Sequence, residues 1–126
     1  MSTGLTYVTE AAGVPDALQV PSGQAMDLFE VLVDRVDAET WIRFRFVAPS
    51  IARARGEISF FDVQDDFEHL CTRVALPYLK ERDLSADAVV VSLLDRPAEF
   101  GQADDTLTQF IEVFRIKNGI CAWEAL

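Results

Sequence analysis

A chain of 126 residues, half of them hydrophobic, has the size of one domain and enough apolar surface to build a core without metal or many staples, which excludes bulk disorder. Its formal net charge of −10 argues against electrostatic binding to nucleic acid or anionic lipid, because both would be repelled. No uncharged apolar run approaches the roughly 20 residues of a membrane span, so no membrane insertion is expected.

The opening stretch, Met1–Val14, has neither the basic n-region nor the apolar h-region of a signal peptide. Residues 1–19 mix Thr, Gly, Ala and Pro without a sustained period and read as a flexible N-terminal arm, with an extended piece near Leu18–Val20. A single compact domain is expected over residues 20–126. Met26–Val33 and Thr40–Ala48 are strand patterns. The second places Ile42, Phe44 and Phe46 on one face and Arg43 and Arg45 on the other. The short polar link Asp34–Glu39 predicts a hairpin. Pro49 ends the strand, Ser50–Arg55 predict one helical turn, and Gly56 opens the apolar segment Ile58–Phe61.

Asp62 is a candidate N-cap, with Asp65, Asp66 and Glu68 crowding the first turns, where the helix dipole favours acids. Val63, Phe67, Leu70, Cys71, Val74, Tyr78 and Leu79 recur at helical spacing as one apolar stripe. Pro77 falls inside the stripe and predicts a kink or a break into two pieces before the end near Arg82. Ala88–Leu94 is a Val-rich apolar run suited to a central strand covered on both faces. Thr106–Lys117 and Ile120–Glu124 flank Asn118-Gly119, the strongest short hairpin signal. The class that follows is α+β: an antiparallel sheet of about five or six strands with one kinked helix packed on one face.

Candidate chemistry is sparse. Cys71 lies on the helix stripe and Cys121 in the last strand, so two readings stand: a disulfide clip between helix and sheet, or two buried reduced thiols. Without a Cys-x-x-Cys pair, redox catalysis is not expected. His69 precedes Cys71 by two residues, which points their side chains to different sides of a helix and disfavours a nucleophile or metal pair. The acids Asp62–Glu68 lack the glycine turn and ligand spacing of a calcium loop, and no phosphate cradle or nucleophile elbow is present. No catalytic residue, metal or cofactor is therefore assigned.

Arg43, Arg45, Arg53 and Arg55 concentrate positive charge in an acidic chain. They suit an anion or carboxylate site, or else the wet face of a strand meeting acids such as Glu30 or Glu112. Asp95-Arg96-Pro97-Ala98-Glu99-Phe100-Gly101 joins a charged turn to an aromatic after the central strand, either as a contact loop or as a locally bonded turn. Arg43, Arg45, Asp95, Arg96 and Phe100 together form the candidate contact site.

The succession Val20-Pro21-Ser22-Gly23-Gln24, Trp41 through Pro49, His69-Leu70-Cys71, Ala75 through Leu79, Asp95-Arg96-Pro97 and Cys121-Ala122-Trp123-Glu124 resembles a family of small alphaproteobacterial proteins of unknown function. The resemblance covers the chain from about Val20 onward, and the first residues depart from it. It implies export, with a cleavable signal ahead of the segment at Val20, a periplasmic or secreted location, and a Cys71–Cys121 disulfide. It carries over no catalytic residue.

Three function classes follow. The leading one is a non-enzymatic exported domain that binds a protein or envelope partner. The second is a cytoplasmic acidic protein that binds or inhibits a basic partner. The third is an enzyme whose site is assembled from scattered carboxylates and arginines, which would need a deep pocket joining them.

Overall fold

The computed structural model describes residues 5–9, 18–52, 58–102 and 104–125. Strands β1 (Leu5–Thr9), β2 (Asp27–Val36), β3 (Glu39–Val47), β4 (Ala88–Leu94), β5 (Gln109–Lys117) and β6 (Ile120–Glu124) form one six-stranded sheet in sequence order. The α+β class holds. Every neighbouring pair is antiparallel except β3 and β4, which run parallel from Trp41 beside Ala88 to Val47 beside Leu94. A parallel pair cannot be joined by a tight turn, so the chain between them crosses one face of the sheet and lays the helix there.

The first hairpin is tighter than its polar link suggests. Its turn is only Asp37-Ala38, both at positive φ (49° and 69°), and the pairing continues through Asp34 beside Trp41 to Val36 beside Glu39. That turn geometry matches the twist of the strands, even though neither residue is the usual Asn or Gly. The polar residues taken for a link are strand residues with cross-strand partners, such as Arg35 donating to Thr40 Oγ1 at 2.5 Å. The second hairpin turns at Asn118-Gly119, φ 53° and 74°, as its sequence predicts.

Part of the expected arm is ordered: Leu5–Thr9 pair with β2 as an edge strand, with a register shift between Tyr7 and Thr9. Backbone pairing with an exposed strand needs no apolar periodicity, which is why composition misreads it. The remainder of the arm up to residue 17 lies outside the described residues, as do Arg53 and Arg55 of the expected helical turn, of which Pro49–Ile51 form a short 3-10 turn.

The helix runs from Gln64 to Glu81 as α1 (Gln64–Leu70), a π turn (Cys71–Ala75) and α2 (Leu76–Glu81). Asp62 does not cap α1. It belongs to a preceding 3-10 turn, Phe60–Asp62, where its carboxylate accepts the Ser59 N–H (2.7 Å) and hydroxyl (3.0 Å). Nor does Pro77 break the helix. Its missing N–H and its ring's conflict with the Arg73 carbonyl are absorbed by the wider turn just before it, where Leu76 N–H reaches back to Cys71 O.

The helix stripe covers the sheet. Phe67, Leu70, Cys71, Ala75, Tyr78 and Leu79 pack on Val31, Ile42, Phe44, Phe46, Val89, Val91 and Phe114. Phe44 and Tyr78 meet edge to face, 5.3 Å between centroids. All seven residues of β4 are buried, as a strand covered on both faces requires. The cysteines are oxidised: Cys71 in the π turn is bonded to Cys121 in β6, Cα atoms 6.3 Å apart, so the helix is clipped to the last strand.

Two substitutions test this core. Phe44→Ala is expected to destabilise by about 3 to 5 kcal/mol through lost burial and a cavity. Replacing both cysteines by alanine is expected to cost about 4 kcal/mol, because the bond closes a long loop in the unfolded chain. Urea midpoints of the variants against the oxidised parent check both.

Candidate functional site

The strand period sends Arg43 and Arg45 to the face away from the helix, where Arg45 is buried and Arg43 half-buried. Arg45 is 3% exposed and forms an ion pair with Glu30 of β2, as the cross-strand reading expected. Arg43 donates through Nε (3.1 Å) and Nη2 (3.0 Å) to Asp34 Oδ2. The ring of Phe100, brought over by the loop after β4, lies 5.1 Å from the Arg43 guanidinium carbon and 5.5 Å from that of Arg45. Part of the expected wet face is thus covered, because a loop distant in sequence lies over it. Glu112 takes no part: it pairs with Val91, which shares the phase of Phe44, so it points to the helix side.

Beside this stack, Arg115 bridges Glu124 (2.8 Å) and Glu39 (2.6 Å), and Trp41 lies under both Arg43 and Arg115. Hydrogen bonds to Glu124 and Glu39 raise the Arg115 pKa, and those from Arg115 and the Trp41 indole hold Glu39 below its ordinary value.

Asp95 and Arg96 use their hydrogen bonds within their own loop. Buried Asp95 accepts the Thr108 N–H (3.2 Å), and Arg96 donates to Asp95 (3.1 Å), Asp104 (2.8 Å) and the Thr106 hydroxyl (2.5 Å). Asp104 accepts the Thr106 hydroxyl and N–H, which hold its carboxyl below the usual range. Of the five candidate contact residues, Phe100 is therefore gathered onto Arg43 and Arg45, while Asp95 and Arg96 form the staple of the loop that carries it.

The other face holds a groove that sequence reading missed. Gln64, Asp65, Phe67 and Glu68 of α1 form one wall, and Glu112, Phe114 and Trp123 of β5 and β6 form the other, around a volume of about 270 Å³. Trp123 is 61% exposed and its indole N–H donates to Glu112. Asp65, Glu68 and Glu112 form no ion pair with any described residue, and no lysine or arginine lines the groove. The readable signal was Glu112, an acid in the inward phase of β5 between Phe110 and Phe114. Asp66, by contrast, turns inward and anchors the segment before β2, accepting the Ser22 N–H (2.8 Å) and hydroxyl (2.5 Å).

Groove and arginine face differ in chemistry. The arginines are neutralised by acids, whereas the groove offers carboxylates without an ion-pair partner among the described residues, an accessible indole and apolar ring faces. His69 lies in an adjoining depression with Pro21, Thr72 and Arg73, which shares Asp65 and Glu68 with the groove. Among the described residues no three His, Cys, Asp or Glu side chains converge to hold a metal ion.

Because Glu30 would be left buried and unpaired, Arg45→Ala is expected to cost about 3 to 5 kcal/mol, with much of the loss recovered in the Arg45→Met, Glu30→Leu double variant. Denaturant melts of the three proteins check this. The lowered carboxyl of Asp104 gives a pH signature. Its contribution to stability is present above the unfolded-state pKa and disappears as pH falls through the lower folded-state value. Between about pH 5 and pH 2 the parent's melting midpoint should fall more steeply than that of Asp104→Asn.

Compared with known proteins, no curated protein and no solved structure matches the chain. A family model matches residues 4–126, the whole described fold from β1 to β6. The chain belongs to the family of unknown function DUF6497.

Proposed function

We propose that the domain is a non-enzymatic exported module that binds a protein partner. The observation that carries this reading is the groove between α1 and the β5–β6 hairpin, with exposed Trp123 on its rim and carboxylates that have no ion-pair partner among the described residues. Exposed tryptophan beside a concave apolar floor is the composition of a binding hot spot. The Cys71–Cys121 bond supports an oxidising compartment, since cytosolic thiols are kept reduced. We place the expected contact surface around Phe100, Arg43 and Arg45 second: Phe100 is 37% exposed, but the arginines beneath it are already paired.

A second reading, a cytoplasmic acidic binder or inhibitor of a basic partner, is favoured by the charge of −10 and by the wholly acidic set of charged groups in the groove. It shares the site and differs in compartment.

Photo-crosslinking in cells separates the two. A crosslinking amino acid placed at exposed Gln64 is expected to give a discrete protein adduct in the periplasmic fraction. The adduct should disappear in Trp123→Ala and be absent when the crosslinker sits at Gln109 on the opposite face. An adduct confined to the cytoplasm would select the second reading. Adducts that ignore both Trp123 and the crosslinker's position would overturn the site.

A further inference from the structure

On the reading that the groove is the partner site, we propose that its occupant is an extended segment that adds as a seventh strand beside β6, with lysine or arginine side chains reaching the groove. The backbone supplies the first observation. With the two-residue turn Asn118-Gly119, the pairs Lys117–Ile120, Arg115–Ala122 and Val113–Glu124 exchange the hairpin's hydrogen bonds. The N–H and C=O groups of Cys121 and Trp123 therefore point away from β5, and no described residue bonds to them. Among the described residues no strand covers this edge.

Sheet edges are ordinarily blunted by bulges, lysine or proline. The opposite edge, β1, carries a register shift between Tyr7 and Thr9. β6, Ile-Cys-Ala-Trp-Glu, has none of these devices: its register is regular, and Ile120 (65% exposed) and Trp123 (61%) stand open on it. The clip to Cys71 also holds the edge in place, so an incoming strand meets a fixed template.

Charge selects the occupant. A strand laid beside β6 turns alternate side chains toward the helix side, where Asp65, Glu68 and Glu112 line the groove, and the others toward Ile120 and Ala122. A segment alternating cations with apolar residues complements both rows, and the Trp123 ring adds a face for a cation. A second copy of this chain, paired through β6, would instead bring its own acidic groove beside the first.

The probe is an end-blocked peptide of alternating lysine and valine, titrated into the oxidised protein by calorimetry and by amide NMR. Binding is expected with shifts centred on β6 and α1. It should weaken about tenfold or more in Asp65→Asn, Glu68→Gln, whose exposed side chains are not needed for folding, and similarly when the peptide amides facing β6 are N-methylated. Equal binding of a glutamate–valine peptide would overturn the charge assignment, and equal binding of the N-methylated peptide would overturn strand addition. Self-association of the protein alone, cross-linked through β6, would make a second copy the occupant and overturn the proposal. No peptide binding alongside a Trp123-dependent adduct from Gln64 would overturn strand addition and leave the groove reading intact; loss of both overturns both.

Discussion

The parallel pairing of β3 with β4 is the constraint on which the rest of the architecture depends. All other neighbours in the sheet are antiparallel, and two of those pairs are closed by two-residue turns; this pair alone obliges the chain to leave one end of the sheet and return at the other. The crossing segment passes over one face, and its apolar stripe becomes the lid of the core. Pro77 sits within that lid, and the π turn lets the stripe continue past it, keeping Tyr78 and Leu79 on the same face as Phe67 and Leu70. At the same turn Cys71 reaches Cys121, so accommodation of the proline and attachment to the last strand occur at one place.

The two faces of the sheet are stabilised by different physics. The helix side is mainly hydrocarbon and aromatic contact, with the Cys71–Cys121 bond and the Asp66–Ser22 hydrogen bonds added to it. The opposite side alternates apolar β4 residues with ion pairs shielded by rings: Glu30 with Arg45, Asp34 with Arg43, and Arg115 between Glu39 and Glu124. The Glu30–Arg45 and Asp34–Arg43 pairs, largely withdrawn from water, add little net stability but penalise any arrangement that separates them. A slip of β2 against β3 would strand four charges at once, so the pairs reinforce the register that the hydrophobic alternation already favours.

Much of this was legible in the residues and some was not, for definite reasons. Asn118-Gly119 announced its hairpin because its residues tolerate positive φ; Asp37-Ala38 does the same work without that signature, so the first hairpin read as a longer polar link. The continuous apolar run Ala88–Leu94 gave burial on both faces, yet burial does not reveal strand direction, and the parallel neighbour went unseen. Arg43 and Arg45 alternate with Ile42, Phe44 and Phe46 as a solvated face would, but Phe100, from a loop far along the chain, joins Trp41 and Phe29 in covering them. The groove escaped notice because its walls come from segments remote in sequence, α1 and the final hairpin, although Glu112 in the inward phase of β5 marked it.

The sequential strand order has a kinetic consequence. β1 to β3 and β4 to β6 are each meanders whose pairings join consecutive strands, and each half contains one two-residue turn that closes at little entropic cost. Among the strand pairings, the β3–β4 seam joins the two meanders across the helical segment, and it brings them together with the helix over one face. Low contact order within each half and high contact order at a single seam make docking of two preformed ribbons the slow event of folding. Until that seam closes, the backbone groups of β3 and β4 along it are unpaired, so the folding sheet passes through a stage with two more open edges than the finished one.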